Sequence, residues 1–155
     1  MSAVLKDQQA EIRPMADTDI AEILTIEQSA YTHPWTGILF GDCLRVGYCS
    51  WVMHRDGAII AYGIMSIGAG ECHVLNLCVK PELQNHGYGN AMLEHLLDVA
   101  RSHSVEMAFL EVRSSNLHAI RMYQKAGFNE VGIRSNYYPA VTGREDAIIL
   151  ARSLL

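Results

Sequence analysis

The chain has 155 residues, half of them (50%) apolar and 19% charged. That is the size of one domain, able to bury roughly two-thirds of its unfolded surface and too apolar for a disordered chain. With 12 Lys and Arg against 17 Asp and Glu, the net charge of −5 argues against a protein that grips nucleic acid through many phosphates.

Residues 1–9 carry no periodic pattern and read as a loose leader. Glu11-Ile12-Arg13-Pro14-Met15 has the character of a short edge strand, where proline is tolerated. Asp17 is placed to cap a helix in which Ile20, Ile23, Leu24 and Glu27 share one side. His33-Pro34-Trp35 breaks it, and a second helix is expected over roughly 36–44. Two strands, 48–54 and 58–67, flank Asp56-Gly57, the strongest short hairpin signal in the sequence. Gly68-Ala69-Gly70 then turns the chain into a third apolar run, Cys72 to Val79.

After Lys80-Pro81 the segment from Gln84 to Gly89 reads as a turn. A helix follows with Met92, Leu93, Leu96, Leu97 and Ala100 at helical spacing. Met107 to Val112 is apolar in both phases, as in a central strand covered on both faces. Ser114-Ser115-Asn116 starts another helix, which Gly127 ends, and strands around 128–135 and 146–152 flank a polar loop. The order describes one α+β (mixed α/β) domain, without repeats or linkers.

The longest near-apolar run, Ala58 to Gly70, is too short to span a bilayer. Cys43, Cys49, Cys72 and Cys78 form no Cys-x-x-Cys pair and no signal peptide is evident, so the reading is reduced, mostly buried thiols in a cytoplasmic protein. Cys72 and Cys78 share a strand parity and are read as core residues. The seven histidines are scattered and no His-Glu-x-x-His occurs, so no metal site is expected.

Gln84-Asn85-His86-Gly87-Tyr88-Gly89 lies between a strand and a helix. Two glycines there allow several N–H groups to converge on one anion at the positive end of the helix, and a pyrophosphate suits such a cradle. On the glycines alone, a plain strand-to-helix turn is an equal reading. No Gly-Lys-Ser/Thr follows, which argues against a nucleotide-hydrolysing P-loop. Gly87-x-Gly89 with Glu111 further on partly matches a dinucleotide fingerprint, but Met92 holds the third small position and an antiparallel meander precedes it.

Gln-x-x-Gly-x-Gly after a strand, followed by the Asn116-x6-Tyr123 helix, resembles the GNAT acetyltransferases, which bind acetyl-coenzyme A (acetyl-CoA). The resemblance runs from about Ile12 to Leu150. It is strongest to the branch that acetylates the N-terminal alanine of ribosomal proteins, through His33-Pro34-Trp35, Leu110-Glu111-Val112-Arg113, Ser115-Asn116, Tyr123 with Gly127-Phe128-Asn129, Asn136-Tyr137-Tyr138-Pro139, and Gly143-Arg144-Glu145-Asp146-Ala147. It implies a central, mostly antiparallel sheet of about seven strands flanked by four helices. The main chain of Leu77, Cys78 and Val79 would pair with the pantetheine arm, and Asn85, His86, Gly87, Tyr88, Gly89 and Asn90 would wrap the pyrophosphate. Asn116 would hold the end of the pantetheine, Tyr123 would face the thioester sulfur, and Glu111 would lie near the acceptor amine. Where the family often carries Arg or Lys around this loop, positions 85 and 90 here are both Asn, and only His86 can become cationic.

These residue types suit acyl transfer. Attack on a thioester needs a neutral amine, a sink for charge on the carbonyl oxygen and a proton for the thiolate. Glu111 stands among apolar neighbours; its position alone suits an ion pair, with Arg113 for instance, whereas the resemblance makes it the base. Asn116 suits a helix N-cap and Tyr123 a core aromatic, yet the two lie two turns apart on one stripe, and a phenol is a competent acid for a leaving thiolate. By resemblance Tyr137 and Tyr138, read as loop residues, line a peptide entrance opposite Trp35. Arg144-Glu145-Asp146 is read as a set of structural pairs. The expected activity is transfer of acetyl from acetyl-CoA to the N-terminal amine of a small-subunit ribosomal protein, by direct attack in a ternary complex, without metal, nucleic acid or membrane. A small-molecule amine, a lysine side chain, or a non-catalytic CoA-binding module are the alternatives.

Overall fold

The computed structural model describes residues 9–155; apart from Gln9, the expected leader lies outside the described residues. The elements are β1 (Glu11–Pro14), α1 (Ile20–Ala30), α2 (Gly37–Arg45), β2 (Cys49–Arg55), β3 (Ala58–Gly68), β4 (Glu71–Val79), α3 (Tyr88–Ser102), β5 (Met107–Arg113), α4 (Leu117–Lys125), β6 (Asn129–Pro139) and β7 (Arg144–Ser153). The strands form one sheet in the order β1-β2-β3-β4-β5-β7-β6. All neighbours are antiparallel except β4 and β5. That parallel pair needs a crossover, which α3 provides. The α+β reading and the count of strands and helices hold.

Local chemistry explains most boundaries. Asp56 and Gly57 both have positive φ (53° and 79°), as a tight two-residue hairpin requires. Thr36 and Asn116 cap α2 and α4, their side-chain oxygens accepting from Leu39 N and Ala119 N, each at 3.2 Å. At the start of α1 the expected cap is corrected: Asp19, not Asp17, holds the N-cap position, with no side-chain bond into the helix; its carboxylate accepts from Ala16 N at 2.8 Å, and Arg13 grips it with two 2.8 Å bonds. Asp19 is favoured because a 3-10 turn, Asp17–Asp19, precedes the helix and brings its side chain back over the chain entry.

The sheet separates two cores. Met92, Leu93, Leu96, Leu97 and Ala100 of α3 are fully buried against Met65, Cys72, Val74, Ala108 and Leu110, with Tyr123 and Phe128 nearby. On the opposite face Ile23, Ile26 and Phe40 of α1 and α2 meet Val52, Tyr62, Ile64 and Cys78. Burying each large aliphatic side chain stabilises the fold by about 1.5–3 kcal/mol.

Cys72 and Cys78 are both core residues, as expected, but not on one face. Ile64 pairs with Asn76 and Met65 with Val74, so Leu75 is an extra residue in β4. This bulge reverses the side-chain alternation. Before it, Cys72 and Val74 face α3; after it, Asn76 and Cys78 face α1 and α2. Strand β5 is also corrected. Ala108, Leu110 and Val112 are buried, but Phe109, Glu111 and Arg113 are only partly covered on the other face. No helix of the described residues is long and apolar enough to cross a membrane.

Candidate active site

Strands β4 and β5 pair only from Glu71–Val74 to Met107–Leu110. Beyond the bulge, β4 continues beside β3 to Val79, and β5 continues beside β7 to Arg113. Two parallel strands that part leave a wedge whose walls carry main-chain donors and acceptors, the kind of edge on which an extended amide-bearing chain can add as a strand. Leu77, Cys78 and Val79 form the β4 wall. Leu77 and Val79 pack towards the α3 core, and Cys78 is buried on the opposite face, its thiol pushed up to about 11, above all by burial. That thiol is therefore a neutral packing group at physiological pH.

Tyr31, which sequence reasoning missed, closes on this wall: its hydroxyl donates to Leu77 O at 3.2 Å. Although the residue is 37% exposed, its hydroxyl is crowded. Desolvation first, then Cys78, Glu27 and Tyr123, push its ionisation well above the ordinary phenol range. Its only sequence signal is its place just before His33-Pro34, where α1 ends.

The loop below the wedge turns through Asn85 (φ 66°) and Gly87 (φ 87°) into α3. Gly87 has the left-handed conformation that favours glycine. Gly89 is closely packed: a Cβ there would stand 3.3 Å from Met122 Sδ, at the flexible end of that side chain, and in ordinary contact with Val79 Cγ2 at 3.4 Å. The His86 imidazole lies 2.8 Å from Gln84 O and 3.1 Å from Leu83 O, and Asn90 is exposed on the first turn of α3. Tyr88 is buried; Arg55 donates to its hydroxyl at 2.9 Å, and its ring stacks on that of His86 in the loop at 6.3 Å. The first turn of α3 presents main-chain N–H groups and the positive end of a helix of 15 residues. These donors and the wedge above them fit an extended phosphorylated cofactor of the coenzyme A type.

Glu111 lies on the open face of β5 with its side chain 12% exposed. Its partners are Arg134 Nε at 3.3 Å and His73 Nε2 at 3.4 Å, both on Oε1. The Arg113 pairing considered from sequence is corrected, since Arg113 bonds Glu145 at 3.0 Å and Pro139 O at 2.7 Å. Both lie on one face of β5, but Arg113, opposite Ala147, reaches Glu145 of β7, whereas Glu111, opposite Ile149, lies between His73 of β4 and Arg134 of β6. Tyr123 is buried and packs edge-on to Phe128 at 5.8 Å. Desolvation first, then Tyr138 and Cys78, push its phenol above the ordinary range. Tyr138 is pushed up to about 12, by burial first and then by Glu111. Glu111, Tyr123, Tyr138, Cys78 and Tyr31 thus share one neighbourhood, while Asn116 stays at the N-cap of α4.

Tyr137 and Tyr138 are not loop residues, as the sequence reading had them, but belong to β6. The strand survives a shift of register between Arg134 and Tyr138 because Asp146 Oδ1 accepts from Asn136 N, and Arg144 holds Asn136 O and Tyr137 O. The two rings meet edge-on at 5.0 Å, with Arg113 over Tyr138 and Arg134 over Tyr137. Arg144, Glu145 and Asp146 make structural pairs, as expected. Trp35 is half-buried in the α1–α2 connection: its ring packs on Phe40 at 5.3 Å and its main-chain N–H donates to Glu27 Oε2 at 2.9 Å. Among the described residues no group of three or more His, Cys, Asp or Glu side chains is placed to hold a metal ion.

The acetyltransferase (GNAT) family model matches residues 18–128. The chain belongs to the GNAT acetyltransferase family. It is an N-acetyltransferase that uses acetyl-CoA, the acetyl donor of that family. It is 39% identical over 140 residues to the ribosomal protein bS18-alanine N-acetyltransferase of Escherichia coli (strain K12), covering 90% of this chain and 95% of the relative. The crystal structure of the ribosomal-protein-S18-alanine N-acetyltransferase from Escherichia coli superposes with a TM-score of 0.88 at 38% identity, covering 94% of each chain. Ard1 from Thermoplasma volcanium superposes with a TM-score of 0.87 at 26% identity, covering 95% of this chain and 99% of that one.

Proposed function

We propose that this GNAT acetyltransferase acts on the N-terminal amine of a protein, and that its acceptor is the N-terminal alanine of a small-subunit ribosomal protein, in the cytoplasm. The observation that carries the reading is the gathering of Glu111, Tyr123 and Tyr138 around the parting of β4 and β5. The relatives that act on ribosomal protein bS18 give the acceptor class.

Acetyl-CoA supplies an activated acyl group as a thioester. The main chain of Leu77, Cys78 and Val79 pairs with its pantetheine arm, with the Tyr31 hydroxyl giving way at Leu77 O. Residues Asn85 to Asn90 hold the pyrophosphate, chiefly through N–H groups at the start of α3. Asn116 caps α4 with its side-chain oxygen and keeps its amide nitrogen for the arm. Main-chain N–H groups on the β4 wall stabilise charge on the carbonyl oxygen.

An α-amine titrates near ~7.7–8.0, so most of it arrives protonated at neutral pH. Glu111, beside Arg134 and His73, receives the ammonium and takes its proton. Tyr123, kept protonated by its burial, donates to the departing thiolate. Tyr137 and Tyr138 form the peptide wall, with Trp35 in the α1–α2 connection opposite.

Mass spectrometry of acetyl transfer to peptides beginning with Ala, Ser and Met, beside a free polyamine and an N-terminally blocked lysine peptide, tests the reading. Preferred transfer to the Ala peptide at its N-terminus is expected. Transfer only to the polyamine or to lysine would overturn the acceptor, and binding of CoA without transfer to any amine would reduce the protein to a binding module.

A further inference from the structure

The ladder between β3 and β4 decides which main-chain groups of β4 face the wedge. Lys80 N donates to Ile60 O at 2.8 Å, and Val79, Cys78 and Leu77 follow opposite Ala61, Tyr62 and Gly63. Bonded and non-bonded pairs alternate along an antiparallel ladder, so Cys78 bonds β3 while Leu77 and Val79 turn their N–H and C=O groups away from it. Since β4 and β5 pair only as far as Val74 and Leu110, those groups open into the wedge. Each of the two carbonyls has a side-chain donor: the Tyr31 hydroxyl lies 3.2 Å from Leu77 O, and Gln84 Nε2 lies 3.2 Å from Val79 O. Gln84 is a near neighbour in the chain, whereas Tyr31 crosses from the end of α1. Its hydroxyl is close both to Cys78, in the core under α1 and α2, and to Tyr123, in the core under α3. It therefore stands at the level of the sheet, on the line that a strand added beside β4 follows.

We propose that Tyr31 is an autoinhibitory placeholder, whose hydroxyl holds the Leu77 carbonyl against the pantetheine arm and must swing out for the arm to enter. The inference rests on the pairing of that arm with Leu77 to Val79. The exchange replaces one hydrogen bond at Leu77 O by another: the phenol passes to solvent and an amide N–H of the arm takes its place. No covalent bond is made or broken. The main chain around Tyr31 is held at both ends, because Tyr31 N donates to Glu27 O at 3.1 Å and Trp35 N donates to Glu27 Oε2 at 2.9 Å. Rotation of the side chain, rather than movement of this short strap, is what clears the wedge. A net hydrogen bond of ordinary strength corresponds to about two- to tenfold in a binding constant, and that is the affinity the placeholder withholds. It acts alike on acetyl-CoA and on CoA, so it also favours departure of the product.

Calorimetric titration of wild type, Tyr31→Phe and Tyr31→Leu tests this, with CoA and with its phospho-ADP fragment, which keeps the pyrophosphate and lacks the arm. Phenylalanine removes the hydroxyl and keeps the ring; leucine removes both. Tyr31 is partly exposed, so neither change leaves a sealed cavity. Both variants should bind CoA about two- to tenfold more tightly than wild type, while the fragment binds all three proteins equally. Weaker binding of CoA to Tyr31→Phe would make the hydroxyl a ligand of the arm, and unchanged binding to both variants would make it a bystander. Either result overturns the placeholder and leaves the pairing of the arm with β4 intact. A gain shared by the fragment would also overturn it, since the effect would then lie at the phosphates. Wild type that binds CoA no more tightly than the fragment would overturn the pairing itself, and the placeholder with it.

Discussion

The hydroxyl of Tyr62 donates to Glu27 Oε1 across 2.6 Å, joining the middle of β3 to the last turns of α1. Asn76 Nδ2 reaches the same oxygen at 3.1 Å, and Trp35 N donates to Oε2 at 2.9 Å. One buried carboxyl group thus ties the α1–α2 connection to β3 and to β4, one wall of the wedge. Glu27→Ala should destabilise the protein by about 2–5 kcal/mol, because each buried donor left unsatisfied costs about 1–3 kcal/mol. Glu27→Gln keeps one acceptor and should cost less. Denaturant unfolding of both variants measures the difference, and equal, small losses would show that the tie is dispensable.

Glu111→Gln preserves the shape of the residue and removes its ability to take a proton. Turnover near pH 7 should fall about 10²–10⁴-fold, with CoA affinity unchanged. A steady-state assay paired with calorimetry checks both halves; an unaltered rate would leave Glu111 as an anchor for Arg134.

Tyr123→Phe keeps the ring and its edge-on contact with Phe128. If the phenol donates to the thiolate, turnover should drop by about 10²-fold while the KM for acetyl-CoA stays near its starting value. A raised KM with turnover preserved would make the hydroxyl a cofactor anchor, and no change would make it a core aromatic.

Gly87→Val forces a β-branched side chain into a backbone with φ 87°, and Gly89→Val drives methyl groups against Met122 and Val79. Both should weaken CoA binding by about tenfold or more, a left-handed conformation alone costing about 1–2 kcal/mol. Asn90→Ala is the control and should lose little. Asn85→Ala is not equivalent, since Asn85 itself has φ 66°. Calorimetric titrations giving equal losses for Gly89→Val and Asn90→Ala would show that the side chains, not the main chain, hold the phosphates.

Glu145 is pulled down to about 2 from an ordinary 4.5, by Ser115 first and then Arg113. A depressed acid contributes stability above its unfolded pKa and loses it as pH falls through the folded value. The stability gap between wild type and Glu145→Gln should be full above about pH 4.5 and close towards pH 2. Urea midpoints measured across that range check the sign; a gap that widened on acidification would refute it.

The parts of the fold fixed by neighbouring residues could be read in advance. Asp56-Gly57 announced its hairpin, the leucine stripe of α3 its buried face, and Asn116 with Gly127 the two ends of α4. What escaped depends on register between distant segments. Asp17 and Asp19 are equally good caps by composition, and only the 3-10 turn separates them. The full length of β6 depends on Asp146 and Arg144, residues of the next strand, satisfying main-chain groups at Asn136 and Tyr137. Glu111 and Tyr123 were legible as candidates through the family resemblance. His73 and Tyr31 were not, because each meets the site only once β4 has been aligned with β5 and with the end of α1.

The extra residue at Leu75 acts on β4 as a frameshift acts on a coding strand: everything downstream is read on the opposite face. Deleting it would turn Asn76 away from Glu27 and exchange Cys78 with its neighbours across the sheet, swapping the contents of two hydrophobic interiors at a stroke. The interval between Val74 and Val79 is therefore intolerant of any change in length, however conservative its composition. The tip at Gly68–Gly70, only a few positions upstream, has no such phase to keep and is where insertions into this half of the sheet can accumulate.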